Sequence, residues 1–580
     1  MPKTDIWTPV NLADMFLTSA ELHAGREALK YKSGHHYESL TYGQLREEVF
    51  SAAKALAAMG LAKGVRAVII SENRPEWVIT DLAIQLLGAV NVPIHSVLSA
   101  QQISEIITEV KPDFIFYSDK KVEDKLLSLS TDLSKIKHLV SYEKVEDSAH
   151  AGRLSYFKDI TSEKLSESDK STLVDNALKI KPDDLCSIIY TSGTTGHLKG
   201  VKLTHGNFIA NIIGTLNAIW ILPTDKFFSI LPLSHVFERT AGYYIPIYSG
   251  ASIGYCLNIE TLSLEIQEQK PTVVLAVPRL YEKIYERVLA KANKSFVTKL
   301  IFRLAFATKK NSRFYPLFDK LVFSKVQGNF GGNIRFFISG GASLPKKIGQ
   351  LFAKVDMLVL EGYGLTETSP IVAVNEMTSY RFGTVGHPIN NVNVKIAEDG
   401  EILVKGPSVT SGYIREEDNL EAFNTEGYFR TGDLGMIDDG GFLTITGRKK
   451  DLMVLTTGKK VAPVPIEEAL EMSEYIEQAM VFGDARKHIG ALILPDYEKL
   501  SVKYGKTGKE KLLKSMAVQE FIHEEAKQAT RNMSSIEQVR KCITIIDPFT
   551  LENGQLTPTL KLRRHIISEQ YAIQIEDIYN

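Results

Sequence analysis

Val65-Arg-Ala-Val-Ile-Ile70, Pro75 to Gly88 and Val90-Asn-Val-Pro-Ile94 follow one another in a pattern that decides the fold class. The first and third are short apolar runs with β-branched residues, as in buried strands, and the second is long enough for a helix. Ser99-Ala-Gln-Gln102 then has capping-box form, because the Ser and Gln side chains can each satisfy a backbone N–H left free at a helix start. Ile103, Ile106, Ile107 and Val110 follow at i, i+3, i+4 and i+7, which makes one apolar stripe. Asp113-Phe-Ile-Phe-Tyr117 supplies the next strand. Strands separated by helices of this length pair in parallel, with both faces of the sheet covered. The fold class is α/β.

The chain has 580 residues, enough for several compact units. With 68 basic against 69 acidic residues the formal net charge is −1, which excludes a globally basic nucleic-acid binder and a highly charged disordered chain. Cys186, Cys256 and Cys542 lie far apart, a spacing that fits neither a disulfide framework nor a zinc site. The opening residues carry no basic region followed by an apolar run, so no secretion signal is read. Trp77 to Leu98 is the best candidate for a membrane span, but Asp81, Gln85, Asn91 and Pro93 interrupt it, and a buried helix followed by a strand accounts for it better. The expectation is a cytoplasmic protein.

Further along, apolar runs end in segments rich in Gly, Ser and Thr. Leu185 to Tyr190 leads into Thr191-Ser-Gly-Thr-Thr-Gly196, Arg335 to Ser339 into Gly340-Gly-Ala342, and Met357 to Leu360 into Glu361-Gly-Tyr-Gly-Leu-Thr-Glu367. In open α/β sheets ligands bind beyond the carboxyl ends of strands, so these loops are expected to gather around one site. From Gly447 the texture changes to charged Arg448-Lys-Lys-Asp451 and shorter α and β segments. A domain boundary is placed there, giving domains 1–447 and 448–580.

Thr191-Ser-Gly-Thr-Thr-Gly-His-Leu-Lys-Gly200 packs three glycines, four hydroxyl side chains and Lys199 into ten positions. Glycines let backbone N–H groups turn toward an anion, hydroxyls donate to it and the lysine adds charge. The Walker A pattern needs Gly before Lys, and Leu198 stands there instead. Tyr190 to Val201 closely resembles the signature loop of the adenylate-forming enzymes: acyl- and aryl-CoA synthetases, luciferases and peptide-synthetase adenylation domains. Leu198 departs from the proline usual in that family. The resemblance continues in family order through Leu231-Pro-Leu-Ser-His-Val236, Ser339-Gly-Gly-Ala342, Gly362-Tyr-Gly-Leu-Thr-Glu-Thr368 and Tyr428-Phe-Arg-Thr-Gly-Asp433. It ends with Gly447-Arg-Lys-Lys-Asp451 and Leu556-Thr-Pro-Thr-Leu-Lys561.

That resemblance implies a large multi-subdomain N-terminal domain of mixed and parallel sheets covered by helices, and a small mobile α+β C-terminal domain. It implies a two-step ligase using ATP and Mg2+, with coenzyme A as co-substrate: a carboxylate attacks the α-phosphate to give an acyl adenylate, and a thiol then displaces AMP. Thr191, Ser192, Gly193, Thr194, Thr195 and Lys199 would hold phosphates. Thr366 would donate to the α-phosphate, and Glu367 is similar to the family's magnesium-linked glutamate, a hard oxygen ligand. Tyr363 offers a flat face for adenine, with Gly364 beside it, and Gly340, Gly341 and Ala342 let backbone pass near the base edge. Asp433 resembles the ribose-binding aspartate and Arg448 the arginine that helps hold the nucleotide. Lys561 matches the lysine that bridges substrate carboxylate and α-phosphate. Lys450 matches the hinge position, and Gly458 a glycine beside the pantetheine path.

Leu231-Pro-Leu-Ser-His-Val-Phe-Glu-Arg239, Val277-Pro-Arg-Leu-Tyr-Glu-Lys-Ile284 and the segment ending at Lys561 resemble the long-chain fatty acyl-CoA synthetase branch. His235 would then sit near the acyl entrance or the reacting carboxylate. An acyl-AMP or acyl-carrier-protein ligase would use the same first step, and an inactive lipid-binding scaffold would need none of these residues. Residues 291–325 carry nine basic side chains (Lys291, Lys294, Lys299, Arg303, Lys309, Lys310, Arg313, Lys320 and Lys325) against Asp319 alone. Phe296, Leu300 and Leu304 fall on one helical face among them, so the segment is a candidate for peripheral contact with an anionic membrane, a surface helix packed on the protein being the other reading. Oligomeric state is not legible from this sequence.

Overall fold

In a computed structural model of the chain, which describes residues 7–145, 153–192, 197–258, 260–292, 295–308, 312–550, 553–557 and 562–579, the expected elements at 65–117 form. The helix Pro75–Leu86 starts on proline, where a missing N–H has no intrahelical partner to lose, and is buried along its length. It connects strands Arg66–Ile70 and Val90–Ile94, which pair in parallel from Arg66↔Val90 to Ile70↔Ile94. Ser99 and Gln102 make the reciprocal capping box, and Ile103, Ile106, Ile107 and Val110 are all buried on helix Ala100–Val110. Phe114–Tyr117 pairs in parallel with the other side of Arg66–Ile70. No helix among the described residues is long and apolar enough to cross a membrane.

These strands belong to a seven-stranded sheet that continues through His138–Ser141 and Leu154–Tyr156 on one side and Leu185–Ser192 and Leu198–Thr204 on the other. Its last pair departs from a strand followed by a helix. The chain turns back, and the two strands pair antiparallel from Leu185↔Thr204 to Ser192↔Leu198. Leu198, Val201 and Leu203 are buried and Lys199 and Lys202 partly so; Leu198 lies on one face of the strand and Val201 and Leu203 on the other, so both faces are covered. Leu198 is thereby part of the core shared with Val68 and Ile115.

A second, nine-stranded sheet has a parallel centre made of Ser252–Tyr255, Lys226–Ser229, Val273–Ala276, Phe336–Ser339 and Leu358–Gly364. Antiparallel strands flank it, Ile371–Val374 on one side and, beyond Glu27–Ser33, His36–Thr41 on the other. Ala276, Ser339 and Glu361 lie in matched register, so the turn after Ser339 and the last residues of Leu358–Gly364 leave from one end of the sheet side by side.

A buried polar network ties the two sheets' helices together. Arg239, on the π-helix Glu238–Tyr244, places Nη2 2.5 Å from Asp81 Oδ1, and neither side chain is exposed. Arg239 also donates to Ser187 Oγ at 2.7 Å and Tyr244 Oη at 3.1 Å, while Tyr243, Tyr244, Gln85 and Asn91 donate to Asp81. Buried charges are tolerated only with this degree of pairing, and the network fixes where the Leu231–Arg239 motif stands.

The chain divides into two compact units. One comprises Met1–Lys395, Leu403–Arg430 and Asp438–Leu443, the other Ile396–Ile402, Thr431–Ile437 and Thr444–Asn580. In the second, Ile476–Phe482 pairs antiparallel with Gly490–Pro495, which pairs in parallel with Lys541–Thr544. Helices Pro463–Glu471 and Met516–Thr530 cover one face of this sheet through Ile466, Leu470, Val518 and Ile522, and Phe549 and Ile567 pack into a separate core with Phe482 and Leu492. This unit is α+β.

Candidate active site

In the first unit, Thr191 and Lys199 face each other across the hairpin, with Ser192 opposite Leu198. Gly193, Thr194 and Thr195, and the side chain of Ser192, lie outside the described residues, as does Lys561. Lys199 Nζ is 2.7 Å from Asp418 Oδ1, and it stands over the ring of Tyr413, 5.1 Å from the centroid. The phenol of that same Tyr413 donates to Glu367 Oε1 at 2.8 Å. Burial and the Glu367 carboxylate push the Tyr413 hydroxyl far above its usual range, so it remains a donor. One aromatic side chain thus separates an ammonium from a carboxylate, both expected at an ATP phosphate site.

Glu367 lies in the 3-10 turn Thr366–Thr368, which follows the strand Leu358–Gly364. Gly364 is there for a steric reason: a Cβ would stand 1.8 Å from the Pro370 carbonyl oxygen, because the turn folds back on the strand. Thr366 is buried, and Tyr363 is partly exposed. Among the described residues no group of three or more His, Cys, Asp or Glu side chains could hold a metal. A single carboxylate fixed by a tyrosine fits Mg2+, which keeps most of its waters and takes substrate phosphates as ligands.

On the neighbouring turn, Gly341 has φ +88°, which favours glycine, and a Cβ on Gly340 would meet the Phe237 ring at 2.9 Å. The close approach of these glycines therefore joins the Gly340–Ala342 turn to the Leu231–Arg239 motif. Within that motif His235 Nδ1 accepts from the Phe237 backbone N–H at 3.2 Å, which leaves Nε2 as the ring's other polar atom. The His235 ring stacks on His95 with centroids 6.2 Å apart, and His95 Nδ1 lies 2.6 Å from Ser234 Oγ. Burial holds His95 down at about 4, so it is neutral at neutral pH. Asn73 braces the same motif, donating to Ser229 Oγ and the Leu231 carbonyl and accepting from the Leu233 N–H.

In the second unit, Asp433 and Arg448 are paired. Arg448 Nε is 2.9 Å from Asp433 Oδ1, and Asp433 is buried while Arg448 is exposed over about two-fifths of its side chain. Lys449 pairs with Asp399 at 2.6 Å and Glu401 at 2.9 Å, next to Lys450 in the turn Lys449–Asp451. Gly458, at φ +76°, makes the tight turn of the hairpin Met453–Val454 and Lys460–Val461, where a side chain would meet open space. Its glycine is accounted for by that turn.

Sequence reading missed Tyr413, Asp418, His95 and Asn73. Tyr413 and Asp418 sit in an ordinary polar run more than two hundred residues from Lys199, and nothing in local spacing marks them. In the basic segment, helix Phe296–Ala307 buries only Ala305 and exposes Phe296 by 81%, with Val297, Leu300 and Leu304 also exposed. Phe314, Leu317 and Leu321 extend the exposed apolar surface, among exposed Lys299, Arg303, Arg313, Lys320 and Lys325. The side chains of Lys291, Lys294, Lys309 and Lys310 lie outside the described residues.

Comparison with known proteins adds four findings. The profile of the AMP-binding enzyme family matches residues 16–414, and that of the AMP-binding enzyme C-terminal domain matches residues 450–580. The chain is 34% identical over 566 residues to the long-chain-fatty-acid–CoA ligase FadD15 of Mycobacterium tuberculosis, covering 94% of this chain and 93% of that protein. It is 29% identical over 639 residues to the chloroplastic long-chain-fatty-acid–[acyl-carrier-protein] ligase AEE15 of Arabidopsis thaliana, covering 98% of this chain and 86% of that one. Among solved structures, the anthranilate CoA ligase AuaEII in complex with anthranoyl-AMP superposes with a TM-score of 0.75 at 20% identity, covering 98% of this chain and 99% of that chain, a likeness of fold.

Proposed function

Because the chain belongs to the AMP-binding enzyme family, we propose that it joins a long-chain fatty acid to coenzyme A at the expense of ATP, releasing AMP and pyrophosphate. The observation that carries this reading is the Lys199–Tyr413–Glu367 arrangement in a chain alike over nearly its whole length to a long-chain-fatty-acid–CoA ligase. A lysine over the face of one aromatic ring and a carboxylate at its hydroxyl suit a triphosphate and its counter-ion.

In the first step the fatty carboxylate attacks the α-phosphorus and the bond to pyrophosphate breaks. Attack of one anion on another needs positive charge and donors fixed around the phosphoryl oxygens. Lys199, held by Asp418, contacts the phosphates, Thr366 donates to the α-phosphate, and Lys561 bridges that phosphate and the carboxylate. Mg2+, when bound, neutralises phosphate charge, with Glu367 as its protein ligand. Asp433 and Arg448 hold the ribose side of the nucleotide, Tyr363 and Gly364 the adenine face, and Gly340, Gly341 and Ala342 its edge. His235 stands at the reacting carboxylate. In the second step the thiol attacks the acyl carbonyl and AMP departs. The small domain 448–580 then turns about Lys450, withdrawing Lys561 and opening the thiol path beside Gly458.

The likeness to a ligase that uses acyl carrier protein gives a second reading the same first step and a different acceptor. Incubation with ATP, Mg2+ and acids from octanoate to stearate, with coenzyme A or holo-acyl carrier protein, separates the two by mass spectrometry. Acyl-CoA supports the first, acyl-carrier protein alone the second, and neither product overturns both. The basic and apolar surface of 295–325 docks on anionic lipid, where fatty acids partition. Flotation with phosphatidylglycerol vesicles and not with phosphatidylcholine vesicles is expected, and flotation with neither overturns this contact.

A further inference from the structure

Beside Lys199 the hairpin is held by a segment far away in sequence. Tyr413 bridges antiparallel to Val201, the Ile414 N–H donates to the Gly200 carbonyl at 2.9 Å, and the Lys202 N–H donates to the Gly412 carbonyl at 3.1 Å. Gly200 suits this docking, because a Cβ there would crowd the end of the Ile414 side chain at 2.9 Å and the Tyr190 ring at 3.0 Å. From the docked segment Arg415 reaches across the hairpin. Its Nε is 2.6 Å from Glu109 Oε1, and its Nη1 bonds His197 Nε2. The other oxygen of Glu109 accepts from the Tyr190 hydroxyl at 2.5 Å. Tyr190 lies on one strand of the hairpin, and His197 immediately precedes the other.

The two sides of the hairpin are therefore joined through Tyr190–Glu109–Arg415–His197, four side chains from three separate parts of the chain. Glu109 is on helix Ala100–Val110, packed on the seven-stranded sheet, so the brace is anchored in the core. Three residues past Arg415, Asp418 holds the Lys199 ammonium, and its second carboxylate oxygen is buried with no hydrogen-bond partner. That orphaned oxygen makes Asp418 a costly place for a charge without a cation beside it.

We propose that Glu109 and Arg415 are positioning residues for ATP: their ion pair ties Tyr190 on one strand to His197 at the start of the other, fixes the hairpin against the core and so aims Lys199 at the polyphosphate. The inference rests on the reading of Lys199 as a phosphate ligand. Neither residue touches the nucleotide. The brace acts on the part of the site that meets the phosphates and leaves the grip on base and ribose unchanged, which separates it from a general contribution to stability.

The test compares the affinity of the full chain for α,β-methylene-ATP and for AMP by calorimetry. It uses Glu109→Gln, which keeps shape and removes charge, Arg415→Ala, and the double variant. Each single variant is expected to bind the ATP analogue about tenfold more weakly, as for one misplaced charge-assisted hydrogen bond, and AMP within about twofold of the original. The double variant is expected to match either single one, since the pair acts as a unit. Equal weakening for both nucleotides, or no change for either, overturns the proposal. Should Arg415→Ala not fold, Glu109→Gln decides alone. If the unaltered chain binds the analogue and forms no acyl product, the ligase reading fails while the brace stands or falls on the same affinities. If the unaltered chain binds neither nucleotide, both fail.

Discussion

The phenol of Tyr413 donates to Glu367 at 2.8 Å while its ring lies beneath the ammonium of Lys199, so a single residue fixes the relation between the two. Removing the hydroxyl and keeping the ring isolates the first contact. Tyr413→Phe is expected to raise the Mg2+ concentration for half-maximal ATP–pyrophosphate exchange about fivefold, the effect of one hydrogen bond of about 1 kcal/mol, with the rate recovered at saturating Mg2+. A magnesium titration checks this, and an unchanged midpoint contradicts it.

Asp433 is buried with its carboxylate against Arg448, in place to accept from a sugar. Asp433→Ala is expected to bind ATP and 2′,3′-dideoxy-ATP equally well. The original chain should prefer ATP by at least about tenfold, because two hydroxyls donating to a charged acceptor each contribute more than about 1 kcal/mol. Competition in the exchange reaction measures both ratios.

The Asp81–Arg239 pair is buried on both sides and bonded to five further side chains. Removing one partner strands the other charge in the core. Arg239→Met is expected to lower stability by about 3–5 kcal/mol, read from urea unfolding followed by tryptophan fluorescence. A loss below about 1 kcal/mol, the value typical of an exposed pair, would mean that water reaches the network.

Next to that pair, burial pushes the Glu238 carboxyl from 4.5 up to about 8. Between these values the folded chain keeps a proton that the unfolded chain gives up, so the folded state binds more protons and stability falls as pH rises through that window. The limiting slope is about 1.4 kcal/mol per pH unit, with no contribution to the slope below the window or above it. Glu238→Gln reproduces the protonated acid, since its carbonyl still accepts from Ser229, which stands 2.6 Å from Glu238 Oε1. The variant is expected to match the original chain at pH 4.5 and to exceed it increasingly toward pH 8, measured by urea unfolding at several pH values. Parallel curves contradict the assignment.

The fold class was legible because local signals agreed with the tertiary outcome: the Ser99–Gln102 box, the stripe from Ile103 to Val110 and the Val90–Ile94 run are each satisfied by their own neighbours. The hairpin at Leu198 was not foreseen. A glycine-rich loop after a strand suggests a helix next, and the run from Leu198 to Leu203 carries no clean alternation to argue otherwise, since Leu198 and Val201 fall on opposite faces. Residues that a motif carries in one piece, such as Thr366 with Glu367, stand together in the sequence and can be picked out there. The residues that hold them cannot. Arg415 and Glu109 are 306 positions apart, and a long-range ion pair leaves no trace in spacing. Gly364 and Gly458 were read as ligand contacts, while backbone crossing and turn conformation already require glycine at both.

The central claim is that a fatty carboxylate attacks the α-phosphate of ATP with Lys561 between them. It is tested most directly by palmitate-dependent exchange of labelled pyrophosphate into ATP, with the unaltered chain and with Lys561→Ala. The account predicts exchange that requires the fatty acid and falls by about a hundredfold to a thousandfold in the variant, as for loss of one preorganised donor to a developing charge. Exchange at a near-normal rate in Lys561→Ala, or release of ADP and phosphate in place of AMP and pyrophosphate, would contradict it.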